Sequence, residues 1–341
     1  LGVRNKGTIT ANAALAMTSY GSLVNEGSIN TNGLMAKMAS LGDMKNTGTI
    51  NSTAYVTQLS SVGTLTNEGT IASSKQIAIS ATGDLVNAGT MKGTQLLSVA
   101  SGGNLTTRKG SNTVSDGQLA VSANNIDNAG SMRGNITYVE FSGDKLKVTG
   151  ELRGHSTLTV QSKKDDKVNS GLIYNTGSIS GNDVTIITNG NLDQEGNIIG
   201  QNSLSIKTNV LDNVYYIYGK SLNIESNYVR NRATIDGYNN TISAANGILN
   251  EGQISASGDL TLKTLNNANI TNYNTIKANG SLTMTTGTVK NGGYRCGFLN
   301  LATCGKGSIS ANKLVLNSYH NYASEMGGQQ QYKYAEINTI R

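Results

Sequence analysis

Proline and tryptophan are both absent from the 341 residues. Proline has no N–H to give to a β ladder, so a chain ladder-bonded along nearly all its length leaves it almost no position. Charged residues make up only 14%, against about a quarter in an ordinary globular domain. Asn, Ser, Thr and Gly supply the polar surface instead. Long apolar runs are missing too. No window approaches the ~18 uninterrupted apolar residues of a membrane helix, so no membrane span is expected. The net charge is +6, but Lys and Arg are scattered, whereas a nucleic-acid surface needs a clustered stripe. No nucleic-acid partner is expected. No leader is visible, and the chain starts mid-pattern, so it reads as a segment of a longer protein. Disorder is excluded because apolar residues recur at regular intervals throughout.

Those intervals are the main signal. The motif Asn-x-Gly-x-(Ile/Met) occurs at Asn5–Ile9, Asn25–Ile29, Asn46–Ile50, Asn67–Ile71, Asn87–Met91 and Asn128–Met132. Its glycine slot falls at 7, 27, 48, 69, 89, 110, 130 and 150, a period of 20 or 21 residues. It resumes at 177, 196, 215, 233, 252 and 274, with the period tightened to about 19. Within each repeat lie three short alternating runs, such as Gly7-Thr8-Ile9, Leu15-Ala16-Met17 and Leu23-Val24-Asn25. Alternation over three to five residues is the signature of a strand with one face buried. One such coil cannot bury its Leu and Ile alone, but stacked coils can. The pattern predicts an all-β fold, a right-handed parallel β-helix. It would be a triangular solenoid of about 15 coils of 19–21 residues.

The register breaks at Gln161–Lys167, where the step from Gly150 to Gly177 is 27 residues. The expected organisation is a repeat stalk over 1–160, an inserted loop over 161–174 and a degenerate β-helix over 175–341. Tyrosine usage changes at the same place, with 12 of the 15 tyrosines beyond residue 170.

Several groups of residues are candidates for chemistry. Asn25, Asn46, Asn67 and Asn87 share one slot and could form a structural amide ladder or a ligand-binding row. Cys296 and Cys304 have no CxxC spacing and no histidine cluster, which argues against zinc. A local disulfide pinning an inserted loop fits better and implies an oxidising compartment. That loop would present Tyr294, Arg295 and Phe298. His155 and His320 lie near no nucleophile. Asp193 and Asp212 are 19 apart and would stack one coil apart, as an acid pair would need. The alternative for them is solvated turn residues. If Leu211, Ile217, Leu222, Ile224 and Val229 point inward, alternation sends Tyr216, Tyr218, Tyr228, Arg230 and Arg232 outward. Tyr215 takes a glycine slot, and Tyr238 sits in an Asn-rich turn. Tyr and Arg on one rigid exposed face would be a binding hot spot, or else a cross-coil stack that only stiffens the fold. No cofactor, no metal and no enzymatic activity are expected.

The repeated Asn-x-Gly-x-Ile, with Leu-x-Leu and Gly-x-Leu-x-Asn between, resembles the filamentous haemagglutinin repeat over roughly residues 1–318. That repeat is found in large exoproteins of Gram-negative two-partner secretion systems. The resemblance implies a secreted, cell-surface protein exported by an outer-membrane two-partner secretion transporter. A regular stalk passing into a Tyr-richer solenoid is similar to the CdiA-type effectors of contact-dependent growth inhibition. For those, the second half recognises an outer-membrane protein or surface glycan on a neighbouring bacterium. Their secretion-domain motifs and Val-Glu-Asn-Asn toxin junction do not occur in these residues, so a host-cell adhesin stays open. A polysaccharide-cleaving β-helix is the third reading.

Overall fold

In the computed structural model the backbone is described for residues 2–163, 171–292, 294–296, 302–304, 307–318 and 329–339, and side chains for 2–163, 171–292 and 307–318. No helix occurs among the described residues. The chain divides into two compact units, Leu1–Gly181 and Asn182–Arg341. Each is a parallel β-solenoid with three strands per turn, about 14 turns in all. The winding is consistent with the right-handed sense that parallel crossovers take.

The reason for the fold is visible in one coil of the first unit. Its first face is Ser28–Thr31, its second Met35–Ser40, and its third Met44–Asn46. In each, alternate residues are buried, as a period of two requires. Each strand pairs in parallel with its equivalent one coil on. Ile29 lies beside Ile50, Ile50 beside Ile71, and Ile71 beside Met91. Met38, Leu59, Ile79 and Val99 form a second column. Leu23, Met44, Leu65, Leu85 and Leu105 form the third. These side chains are at most 2% exposed. Full burial of one such side chain contributes roughly 1.5–3 kcal/mol, and the columns repeat it at every coil.

The glycine slot is set by backbone proximity. A Cβ on Gly27, Gly48, Gly69 or Gly89 would stand 2.0–2.1 Å from the carbonyl oxygen of the slot's glycine one coil earlier. None of the four has a positive φ. Of the two roles glycine can take here, a tight corner or a close approach, the structure selects the second.

The asparagine slot is interior and structural. Asn5, Asn25, Asn46 and Asn67 each pass one amide N–H to the Oδ1 of the next, ending at Asn87, at 2.8–2.9 Å. Asn25, Asn46 and Asn67 also donate to a carbonyl of the following coil, at 3.1 Å. The ladder changes chemistry where Asn87 donates to Thr113 and Thr107 donates to Asn128. The second unit has its own run, Asn213, Asn231, Asn250, Asn272 and Asn291, with links of 2.7–2.8 Å. Buried amides are thereby hydrogen-bonded, as they must be.

Strand pairing reaches further into the register break than 161–174 suggests. Gln161 and Ser162 end the strand Glu151–Ser162, beside Glu140 and Phe141. Leu172–Asn175 is already strand, beside Lys145–Val148.

Candidate functional site: an aromatic and charged edge of the second unit

Core columns fix which residues of the second unit face outward. Ile217 is fully buried on the first face, so Tyr216 and Tyr218 flank it on the outside. Their rings lie 6.4 Å apart between centroids and 8° from parallel, an offset stack of the favourable kind. Tyr218 stands beside Asp236 of the next coil, and Tyr216 beside Thr234. Partial burial, with Asp236 adding, pushes the Tyr216 phenol above its usual range. It remains a neutral hydroxyl that can both donate and accept.

The third face carries Tyr228 and Arg230, flanking buried Val229. Burial raises the Tyr228 phenol; Arg230 opposes that shift, while Glu251 and Asp212 add to it. Arg230 Nε donates to Glu251 at 2.9 Å. Arg232, at the corner between the third and first faces, grips Asp212 with two nitrogens, Nε at 3.0 Å and Nη2 on the other oxygen. The first unit repeats the Arg230–Glu251 geometry. Arg4 pairs with Glu26 and Lys45 with Glu68. In all three pairs a cation outward on the third face meets a carboxylate just after the ladder asparagine of the next coil. The guanidiniums of Arg230 and Arg232 are therefore held in place rather than free. Both pairs are part-exposed, so each contributes at most about 1 kcal/mol to stability. What they supply is orientation, with flat cationic faces presented beside the tyrosines.

Between these faces, at the same corner, Val214 is 38% exposed and Tyr215 53%. Tyr228 and Arg230 on one side, Val214, Tyr215 and Arg232 on the corner, and Tyr216 and Tyr218 on the other side together wrap one edge of the unit. The expected single face is thus an edge shared by two faces. The reason is that a coil turns a corner every few residues. Tyr238 does not join it. It is 53% exposed but follows Gly237 at the next corner, between the first and second faces. Val214 was not among the candidates, although its place directly after ladder residue Asn213 marks it as a corner residue.

The remaining candidates fall elsewhere. Tyr294–Cys296 and Ala302–Cys304 pair antiparallel as a small hairpin. The side chains of Tyr294, Arg295, Cys296 and Cys304, and with them the disulfide, lie outside the described residues, as does Phe298. Asp193 and Asp212 do stack in register, but Arg232 occupies Asp212. His155 is exposed on the first unit. Among the described residues no group of His, Cys, Asp and Glu could hold a metal, and no helix is long and apolar enough to cross a membrane.

Both units are thus repeated parallel β-solenoids, the second with an outward aromatic edge. The haemagglutinin repeat matches residues 1–108, 92–135, 149–215 and 219–318, which takes in both units. The chain belongs to the haemagglutinin-repeat family. Members are secreted or cell-surface, adhesin-like exoproteins of the filamentous haemagglutinin type, within the general setting of two-partner secretion. No curated protein and no solved structure matches the chain.

Proposed function

We propose that the second unit is the receptor-recognising segment of a toxin-delivering exoprotein of the contact-dependent growth inhibition kind. Its target is an outer-membrane protein or surface glycan of a neighbouring bacterium. The first unit serves as a repeat spacer, and the chain binds rather than catalyses. The observation that carries this reading is the edge itself. Exposed Tyr215 sits between the Tyr216–Tyr218 stack and the ion-paired Arg230 and Arg232. Tyr and Arg dominate binding hot spots. Side chains already ordered by stacking and ion pairs lose less freedom on binding. A cleaving role is disfavoured because one of the two stacked acids, Asp212, is tied to Arg232.

The test is attachment of the fluorescently labelled 341-residue chain to Gram-negative cells and to cultured animal cells. Saturable binding to the bacteria is expected. Tyr215→Ala with Tyr216→Ala and Tyr218→Ala should weaken it by about 30-fold or more, the effect of losing a hot spot worth roughly 2 kcal/mol. Tyr20→Ala removes an 82% exposed tyrosine of the first unit and should leave attachment unchanged. Undiminished binding by the triple variant would refute the edge as the contact. Binding to animal cells alone would replace the bacterial target with a host receptor.

A further inference from the structure

The first unit, whose sequence reads as uniform spacer, carries a groove of its own. It has a volume of about 600 Å³, within the range of ligand-binding clefts. Its cationic row comes from register. Lys92 lies beside Val114, Val114 beside Arg133, and Arg133 beside Arg153. Adjacent strands are about 4.8 Å apart, so two guanidinium-bearing strands are neighbours along the groove. Lys92 is paired with Asp116 at 3.3 Å. Neither Arg133 nor Arg153 has an ion pair or side-chain hydrogen bond among the described residues. Three cations therefore face one carboxylate, itself already engaged.

A backbone irregularity also marks the groove. At the groove's end the ladder slips. Asn135 alone stands opposite two residues, His155 and Ser156, between the Gly134–Gly154 and Ile136–Thr157 pairs. Such a bulge re-aims side chains, and here Ser156 donates to Asn135 at 2.7 Å while His155 joins the lining.

We infer that this groove binds a carboxylated polysaccharide, a chain of uronic-acid sugars laid along the Arg133–Arg153 row. Guanidinium forks match carboxylates in geometry as well as charge. Asn112 and Asn135 offer partners for sugar hydroxyls, and Val114 gives an apolar rest for a ring face. Among the described residues no Phe, Tyr or Trp lines the groove, which disfavours single-stranded nucleic acid, whose bases need broad stacking platforms. Among the described residues the one lining carboxylate, Asp116, is bound to Lys92, so the groove holds its ligand without an acid pair to cleave it.

The test is calorimetric titration of the full chain with hexagalacturonate, a neutral hexasaccharide and a sulfated hexasaccharide. Hexagalacturonate should bind and the neutral sugar should not. Arg133→Gln with Arg153→Gln should weaken binding by about 30-fold or more. Val114→Glu, which keeps both arginines but sets a carboxylate between the cations, should do the same. Lys37→Gln, at an exposed lysine on the second face, should change nothing. The inference is overturned by absent hexagalacturonate binding, by an equal loss in Lys37→Gln, or by the sulfated sugar binding tenfold tighter. None of these results bears on the second unit's edge.

Discussion

Gly69→Val is expected to destabilise the first unit by more than about 4 kcal/mol, beyond the usual range for single substitutions. The new Cβ would stand 2.1 Å from the Gly48 carbonyl oxygen and 2.7 Å from the carbonyl carbon and oxygen of Thr47. All three are backbone atoms, so no side chain can swing aside. The coils would have to part. Parting breaks the Thr70 N–H bond to Gly48 at 3.0 Å and strains that from Thr90 to Gly69 at 2.9 Å. In a solenoid each coil is stabilised by its neighbours, so the damage spreads on both sides. Gly7 supplies the control. It occupies the same motif slot, yet nothing lies within 4 Å of where its Cβ would stand. In the 341-residue chain, Gly7→Val should change stability by less than about 1 kcal/mol. Urea unfolding of the two variants, read by circular dichroism, checks both values. Equal midpoints would contradict close packing as the reason for the glycine.

The second large effect is expected at the amide ladder. Asn67 accepts from Asn46 and donates to Asn87, each at 2.9 Å, and donates to the Thr90 carbonyl at 3.1 Å. Leucine has similar bulk and is more apolar, so a purely hydrophobic interior would welcome it. The ladder account says otherwise. Asn67→Leu takes the acceptor from Asn46, the donor from Asn87 and a partner from Thr90, all within the buried column. Each unsatisfied buried group costs about 1–3 kcal/mol, and the shared network amplifies the loss. A destabilisation of roughly 3 kcal/mol is expected. Asn51→Leu, at an exposed asparagine two residues past the slot's Thr49, should stay within about 0.5 kcal/mol. A neutral or stabilising Asn67→Leu in the same urea experiment would remove the ladder from the account.

Period and interior chemistry are readable in the sequence because the constraint recurs identically at each coil. A carbonyl two ångströms from a would-be Cβ leaves glycine as the only residue at Gly27, Gly48, Gly69 and Gly89. An amide that must both accept and donate along the column selects asparagine at Asn25, Asn46 and Asn67. Outward chemistry is under no such constraint, and there the pattern stops short. Alternation sends Tyr218 and Tyr228 outward, but the ten residues from one to the other traverse the second face, so they lie on the first and third faces. The Arg230 ion pair was legible in principle. Arg4 and Glu26 stand at the same two positions of the repeat. Finding it requires knowing which residue of one coil reaches diagonally to the next. Arg133 and Arg153 escape notice for a related reason. Each is a lone cation in its own repeat, and only their 20-residue separation, converted into strand register, makes them neighbours. The ends of the register break could not be placed from spacing either, because Gln161 and Ser162 keep ladder partners after the motif has lapsed.

The interior ladders, the edge and the groove all depend on which residue lies against which between successive coils. Ser28 and Thr49 are in register, with their hydroxyl oxygens 2.9 Å apart, and Thr70 continues the column one coil further on. The direct measurement is disulfide formation in the full chain, followed by peptide mass mapping with the native cysteines in place. Ser28→Cys with Thr49→Cys should cross-link readily on mild oxidation, since neighbouring strands bring two Cα atoms within disulfide reach. Ser28→Cys with Thr70→Cys, two strand spacings or about 9.6 Å apart, should not. Cross-linking of the second pair, or failure of the first, would contradict the coil-on-coil register.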